Sequence, residues 1–293
     1  MAKRRLITFD WAMKRLLRSK ANFDILEGFL SELLKDNITI LDLLESESNK
    51  DTEQNKLNQV DLKVKNGRGE IIIIEVQYTR EYDYLQRILL GVSKVITEHL
   101  DKSAQYNEVV KVISVNILYF DLGQGDDYVY HGTTRFVGLH NDDELQLSRN
   151  QKEILKKETV SDIYPEYYLL KINQFNDIAK DSLDEWIYFL KNEEIKDEFN
   201  AKGLKKAKEE FDVLKLTQNE RHAYESHVAK LRSQASLYYS SQFEGHAEGH
   251  AEGVKEGIKK EKIQTAKKLL LKGFDIETIA ELTELTSQEI TKL

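Results

Sequence analysis

The chain has 293 residues, a net charge of −8, seven histidines and no cysteine, which excludes a disulfide framework, a thiolate zinc site and a cysteine nucleophile. It contains no run of eighteen or more uncharged apolar residues, and the early charges Lys3, Asp10 and Lys14 leave no apolar signal segment, so a soluble, cytoplasmic protein with no membrane partner is expected. The acidic total argues against a general nucleic-acid coat, yet the first twenty residues set seven cations against one acid, Asp10, so a local basic surface is available.

Phe9, Met13, Leu16 and Leu17 fall at helical spacing, as do Phe23, Leu26, Leu30, Leu33 and Leu34, so two helices are expected to open the chain, the second ending at Asp36-Asn37. Residues 38–44 read as a strand and 45–56 as a polar loop. Leu57 to Lys65 alternates well enough for a strand, with Asp61, Lys63 and Lys65 on its polar face, and Asn66-Gly67-Arg68-Gly69 suits a hairpin turn. The β-branched run Glu70 to Gln77 is too apolar for a strand with one wet face and is expected at the centre of the sheet.

A helix from Tyr84 to Leu100 follows, then strands at 109–120, 128–137 and 167–172, the last just after Pro165, the only proline. This order predicts an α/β layered core with a mixed sheet. Beyond Ser182 the pattern is helical throughout. Gly245, Gly249, Gly253 and Gly257 form an internal repeat on one stripe, which fits either a self-associating helix or a semi-flexible spacer, since each glycine costs a lone helix about 1 kcal/mol. His246 and His250, four apart in this repeat, have metal-ligand spacing but read better as repeat filler. Thr286 and Glu289 have capping-box spacing for a short final helix. The resulting pair of small helices is a weak match to a helix-turn-helix.

Chemistry concentrates at Asp61, Glu75 and Gln77. Glu75 and Gln77 share a strand face, and pairing through the 66–69 turn brings Asp61 toward Glu75. A carboxylate in an isoleucine-rich strand takes up a proton or demands a cation. An oxygen-seeking divalent ion such as Mg²⁺ meets that demand, and phosphodiester hydrolysis is the matching reaction class. Alone, two acids on adjacent strands are weak evidence.

The context adds Phe9-Asp10-Trp11-Ala12-Met13-Lys14-Arg15-Leu16-Leu17, Val60-Asp61-Leu62, Ile72-Ile73-Ile74-Glu75-Val76-Gln77, Arg87, Ile117-Leu118-Tyr119-Phe120, the Glu-Gly repeats and a closing Ile279-Ala280-Glu281-Leu282-Thr283. In order and spacing these motifs resemble the PD-(D/E)XK nuclease-transposase group that includes the Rpn-type recombination-promoting nucleases. The resemblance implies a restriction-endonuclease-like α/β core, a central mixed β-sheet flanked by helices, followed by an all-α C-terminal extension. It implies a Mg²⁺-dependent DNA endonuclease, with Mn²⁺ able to substitute, linked to mobile-element recombination or defence. Asp61 and Glu75 would be the metal-binding acids. Gln77 stands where the general pattern has lysine, a departure that bears on activity, although the group itself commonly carries glutamine there.

Asp10 fits either an acid supporting the metal through water or a helix N-terminal carboxylate favoured by the macrodipole. Arg87 and Lys63 are candidate phosphate contacts, and solvated surface positions otherwise. The expected organisation is a nuclease domain over 1–178, a helical extension over 179–243, a glycine-repeat helix or linker over 244–272 and a small helical module over 273–293. DNA is the expected partner, with a homodimer or higher homo-oligomer through the C-terminal helices. The rival reading keeps the fold but makes it a catalytically inactive DNA- or protein-binding protein.

Overall fold

The computed structural model describes residues 6–44, 61–100 and 105–293. The polar loop expected at 45–56, the first residues of the strand expected from Leu57, the basic residues Lys3 to Arg5 and the His246 side chain lie outside the described residues. The chain forms two compact units, Met1–Leu231 and Arg232–Leu293.

In the first unit, α1 (Phe9–Arg15) and α2 (Phe23–Leu34) precede β1 (Ile40–Leu43), β2 (Leu62–Asn66) and β3 (Ile71–Gln77). Then come α3 (Tyr84–Glu98), β4 (Val112–Leu118), β5 (Val129–Gly132), α4 (Arg149–Leu155) and β6 (Glu166–Lys171). After these, α5 (Ser182–Asn192), α6 (Leu204–Glu210) and the long α7 (Gln218–Leu271) follow. The six strands lie in the order β1-β2-β3-β4-β6-β5. β3, β4 and β6 run parallel, whereas the β1–β2, β2–β3 and β5–β6 pairs are antiparallel. The sheet is therefore mixed and flanked by helices, as the sequence predicts.

The 66–69 turn makes the β2–β3 hairpin. Gly69 N–H donates to the Asn66 carbonyl (2.9 Å), and Gly69 sits at φ 77°, a region closed to most side chains. The Asn66 side-chain carbonyl accepts from the Arg68 and Glu70 amides. This pins the register Lys65↔Ile71 to Leu62↔Ile74.

Alternation along the strands sends two sets of residues to opposite sides. Leu62, Val64, Ile72, Ile74, Val115 and Ile117 face the main core, which also holds Phe9, Phe29, Trp186, Phe189, Phe211 and Tyr224. Ile71, Ile73 and Val112 pack under Val92 and Val95 of α3, and Leu118 packs under its Tyr84 and Ile88. The main core does not stop at residue 178: α5, α6 and the start of α7 supply several of its largest side chains. Trp186 is fully buried and donates from Nε1 to the Lys202 carbonyl at 3.1 Å.

The second unit has its own small core of Ala266, Ile279, Leu285 and Ile290, joining the end of α7 to α8 (Ile276–Thr283) and α9 (Ser287–Thr291). The Thr286–Glu289 capping box forms as its spacing predicts. The glycine repeat is helical, and a Cβ added at Gly245, Gly249, Gly253 or Gly257 would meet nothing within 4 Å. Among the described residues, no helix is long and apolar enough to cross a membrane.

Candidate active site

The β2–β3 ladder ends at Leu62↔Ile74, and Asp61 and Glu75 are the residues next beyond that last pair on the two chains. Asp61 has left the ladder, and its Oδ2 accepts a hydrogen bond from the Val76 amide at 2.8 Å, finishing the strand edge. Its other oxygen, Oδ1, lies 3.2 Å from Lys14 Nζ. Arg18 donates to the Asp61 carbonyl at 3.2 Å. The last turn of α1 and the residues after it thus hold the segment that enters β2.

Glu75 is the only charged residue in β3, and it sits beside Asn116 in the parallel β3–β4 register. Tyr84, fully buried at the start of α3, places its hydroxyl 3.2 Å from Asn116 Oδ1 and 3.4 Å from Glu75 Oε2. Asn116 is itself fixed, donating from Nδ2 to Ser114 Oγ and to the Tyr168 carbonyl. Burial pushes the Glu75 carboxyl above the usual carboxylate range, and the charges of Asp61 and Glu81 add to the rise. Arg87 and the Tyr84 hydrogen bond oppose it without cancelling it.

Gln77 donates from Nε2 to Glu81 Oε1 (2.8 Å) and to the Thr79 carbonyl (3.2 Å). Glu81 also takes two bonds from one Arg87 nitrogen, at 2.6 and 2.9 Å. Gln77, Glu81 and Arg87 therefore form one chain beside Glu75, with Arg87 hydrogen-bonded to Glu81 and acting by its charge on Glu75 as well. Sequence reasoning missed Glu81, Tyr84 and Asn116. The signal for Asn116 was present: Ser114 and Asn116 alternate on one face of an otherwise apolar strand.

Asp10 is 2% exposed, too deep for an ordinary helix-end carboxylate. His227 Nε2 of α7 stands 2.7 Å from its Oδ2, and Tyr78 donates to its Oδ1 at 3.1 Å. Burial alone would raise the Asp10 carboxyl, but contact with His227 and the charge of Lys14 outweigh this and hold it below the usual range. Lys14 thus acts on both Asp10 and Asp61. His227 carried no sequence signal, because only the fold brings it to Asp10.

Lys63 is placed differently from its expected wet strand face. It is 4% exposed under α3, and its Nζ pairs with Glu98 at 3.1 Å. At Lys63 this face of β2 is covered by α3, and Glu98 supplies the charge that makes a buried lysine tolerable there.

Asp61 and Glu75 are like-charged oxygen donors at the same end of the β2–β3 hairpin, and the charge of one helps push the other toward protonation. A divalent cation relieves both conditions, so the residues present fit such an ion. Among the described residues, no group of three or more His, Asp or Glu converges, so water and substrate would complete most of the shell. A family model for PD-(D/E)XK nuclease family transposases matches residues 7–240. The chain belongs to this family. No curated protein and no solved structure matches it.

Membership gives the chain a nuclease-like function, in a family whose nucleases usually use divalent metal ions. The match includes Asp10, Asp61, Glu75, Gln77 and Arg87, runs through α5 and α6, and ends before the glycine repeat. For this PD-(D/E)XK family member, the segment read from sequence as a helical extension falls almost wholly within the family's span.

Proposed function

We propose that the chain is a Mg²⁺-dependent DNA endonuclease, Mn²⁺ substituting, that acts in mobile-element recombination or defence. The observation that carries this reading is that Asp61 and Glu75 follow directly on the last pair of the β2–β3 ladder, with the Glu75 carboxyl raised by burial and by its acidic neighbours Asp61 and Glu81. When bound, the ion supplies Lewis-acid activation of a water and offsets charge on the scissile phosphate.

The chain's own residues do the rest. Asp61 and Glu75 hold the ion. Tyr84, its hydroxyl held between Asn116 and Glu75, restrains the Glu75 carboxyl. Glu81 ties down the Gln77 amide nitrogen, which leaves the amide oxygen to orient the attacking water. Arg87, at the end of the Gln77–Glu81 chain, is the candidate contact for a neighbouring phosphate. Asp10 supports the site from behind through Lys14. Lys63, buried and paired, takes no part in phosphate binding. Water adds to phosphorus, the P–O ester bond breaks, and a proton reaches the departing oxygen from solvent.

Cutting both strands of a duplex calls for two such sites, and self-association through the C-terminal helices would supply them. A non-catalytic binding protein is the second reading. It is favoured by the absence of a lysine at Gln77 and by the commitment of both Asp61 oxygens, to Val76 N and to Lys14.

Cleavage of supercoiled plasmid with Mg²⁺ or Mn²⁺ separates the two. Asp61→Ala and Glu75→Ala are each expected to lower the rate at least about 10³-fold, in line with loss of a group that holds the reacting atoms. Equal rates for all three proteins would leave the binder as the better account.

A further inference from the structure

Hydrolysis of a phosphodiester builds negative charge on the phosphate oxygens, and a preorganised cation near them contributes strongly to rate. The general pattern of this family puts a lysine at the position of Gln77, and glutamine brings no charge. Three cations stand near these acids, and they differ in what holds them. Arg87 gives both bonds of one nitrogen to Glu81, which in turn is held by Gln77. Its guanidinium is tied in place there, while its charge also acts on Glu75. Lys14 projects from the last turn of α1, its side chain is 45% exposed, and its Nζ lies 3.2 Å from Asp61 Oδ1.

We propose that Lys14 is a catalytic cation of this site: it supplies a charge that Gln77 does not, reaching Asp61 from α1 instead of standing on β3. This rests on the nuclease reading above. Asp61 cannot give Oδ1 fully both to a divalent ion and to Lys14. Lys14 would then be held less tightly, its half-exposed ammonium group remaining beside the Asp61 carboxylate and open to a phosphate. Arg18 has a different task. By bonding the Asp61 backbone carbonyl rather than its carboxylate, it positions the residue whether or not an ion is present.

Two measurements test the assignment. Plasmid cleavage with Mn²⁺ is compared for wild type, Lys14→Gln, Lys14→Arg and Glu75→Gln. Calorimetric titration of Mn²⁺ into the same proteins without DNA gives metal affinity independently of turnover. Lys14→Gln removes the charge and keeps much of the bulk of a half-exposed side chain, and its thermal melt checks that it folds.

The expected result is a 10²- to 10³-fold lower rate for Lys14→Gln, roughly the loss seen on removing one charge-stabilising donor. Lys14→Arg should recover much of that rate. Mn²⁺ affinity of Lys14→Gln should equal or exceed that of wild type, because a competitor for Asp61 is gone. Glu75→Gln should lose both cleavage and Mn²⁺ binding.

Wild-type cleavage rates in Lys14→Gln, alongside an inactive Glu75→Gln, would overturn the role of Lys14 and leave the nuclease reading standing. Parallel loss of Mn²⁺ affinity and cleavage in Lys14→Gln would also overturn it, by showing that the lysine only props Asp61. A wild type that neither cleaves nor binds Mn²⁺ would remove the nuclease reading, and this proposal with it.

Discussion

Glu75 is held at a cost to the fold. A carboxyl whose pKa is higher folded than unfolded favours the folded state when protonated. That contribution is complete below the ordinary glutamate value of about 4.3 and is lost as pH rises through the elevated folded value. Burial is the main cause of the rise, with Asp61 and Glu81 adding to it. Glu75→Gln, which imitates the protonated acid, is therefore expected to melt above wild type at neutral pH in chelator and to converge with it in acid. Adding Mn²⁺ should reverse the order, since an ion at about 100 times its dissociation constant stabilises the binding-competent protein by about 2.7 kcal/mol. Melting curves across this pH range, with and without the ion, check both signs. A variant that melts below wild type in chelator at neutral pH would contradict this account of Glu75.

Among the elements, α2 shows how closely the first unit is packed. A Cβ built on Gly28 would come within 2.2 Å of the Lys202 carbonyl oxygen and 2.6 Å of its carbon. That carbonyl cannot easily retreat, because Trp186 Nε1 donates to it. In open helix a Gly→Ala change stabilises by about 1 kcal/mol. Here the clash wins, and Gly28→Ala is expected to cost about 1–3 kcal/mol, as overpacked cores do. Urea denaturation measures it, and a midpoint equal to or above that of wild type would contradict the packing described.

How far these elements could be read in advance depended on local signals. β3 was legible because four consecutive isoleucines exclude a half-wet strand, and the hairpin because Asn66 and Gly69 suit its turn. α9 was legible from Thr286 and Glu289. α4 escaped notice although Ser148 and Gln151 form a capping box, because the helix buries no residue and so has no apolar stripe. The burial of Lys63 was hidden for another reason: alternation tells which face a residue takes, but not that α3 lies over that face with Glu98 in reach. The same limit applied to α5 and α6, whose periodicity announced helices without saying that Trp186 and Phe211 join the core of the sheet. At the site, Asp61 and Glu75 came from the strands themselves, whereas Lys14 and His227 arrive through tertiary packing alone.

At the scale of the whole molecule, the two units differ in what holds them. The first is built around a large shared core and the second around a small cluster at the end of α7. Between these clusters α7 carries its four spaced glycines with open space at each. Alanine at all four positions should raise the stability of this helix by up to about 1 kcal/mol per site, read by circular dichroism on heating. If these glycines seat a second copy closely, as self-association through the C-terminal helices requires, the same variant should sediment as a smaller species. Unchanged sedimentation would place the association elsewhere.

The closure of the first unit has a consequence for how the protein is made. Ile7 donates from its backbone N–H to the Phe211 carbonyl, Leu6 bridges to Asp212, and Asp10 meets His227. At about 5–20 residues per second, tens of seconds of translation separate the two sides of this seam. Until the distal side leaves the ribosome, Phe9 and Phe29 lack Trp186 and Phe189, which pack against them in the finished core. Nor can His227 brace Asp10 before that seam is shut, so the far end of the family's span completes a contact that begins in the first helix.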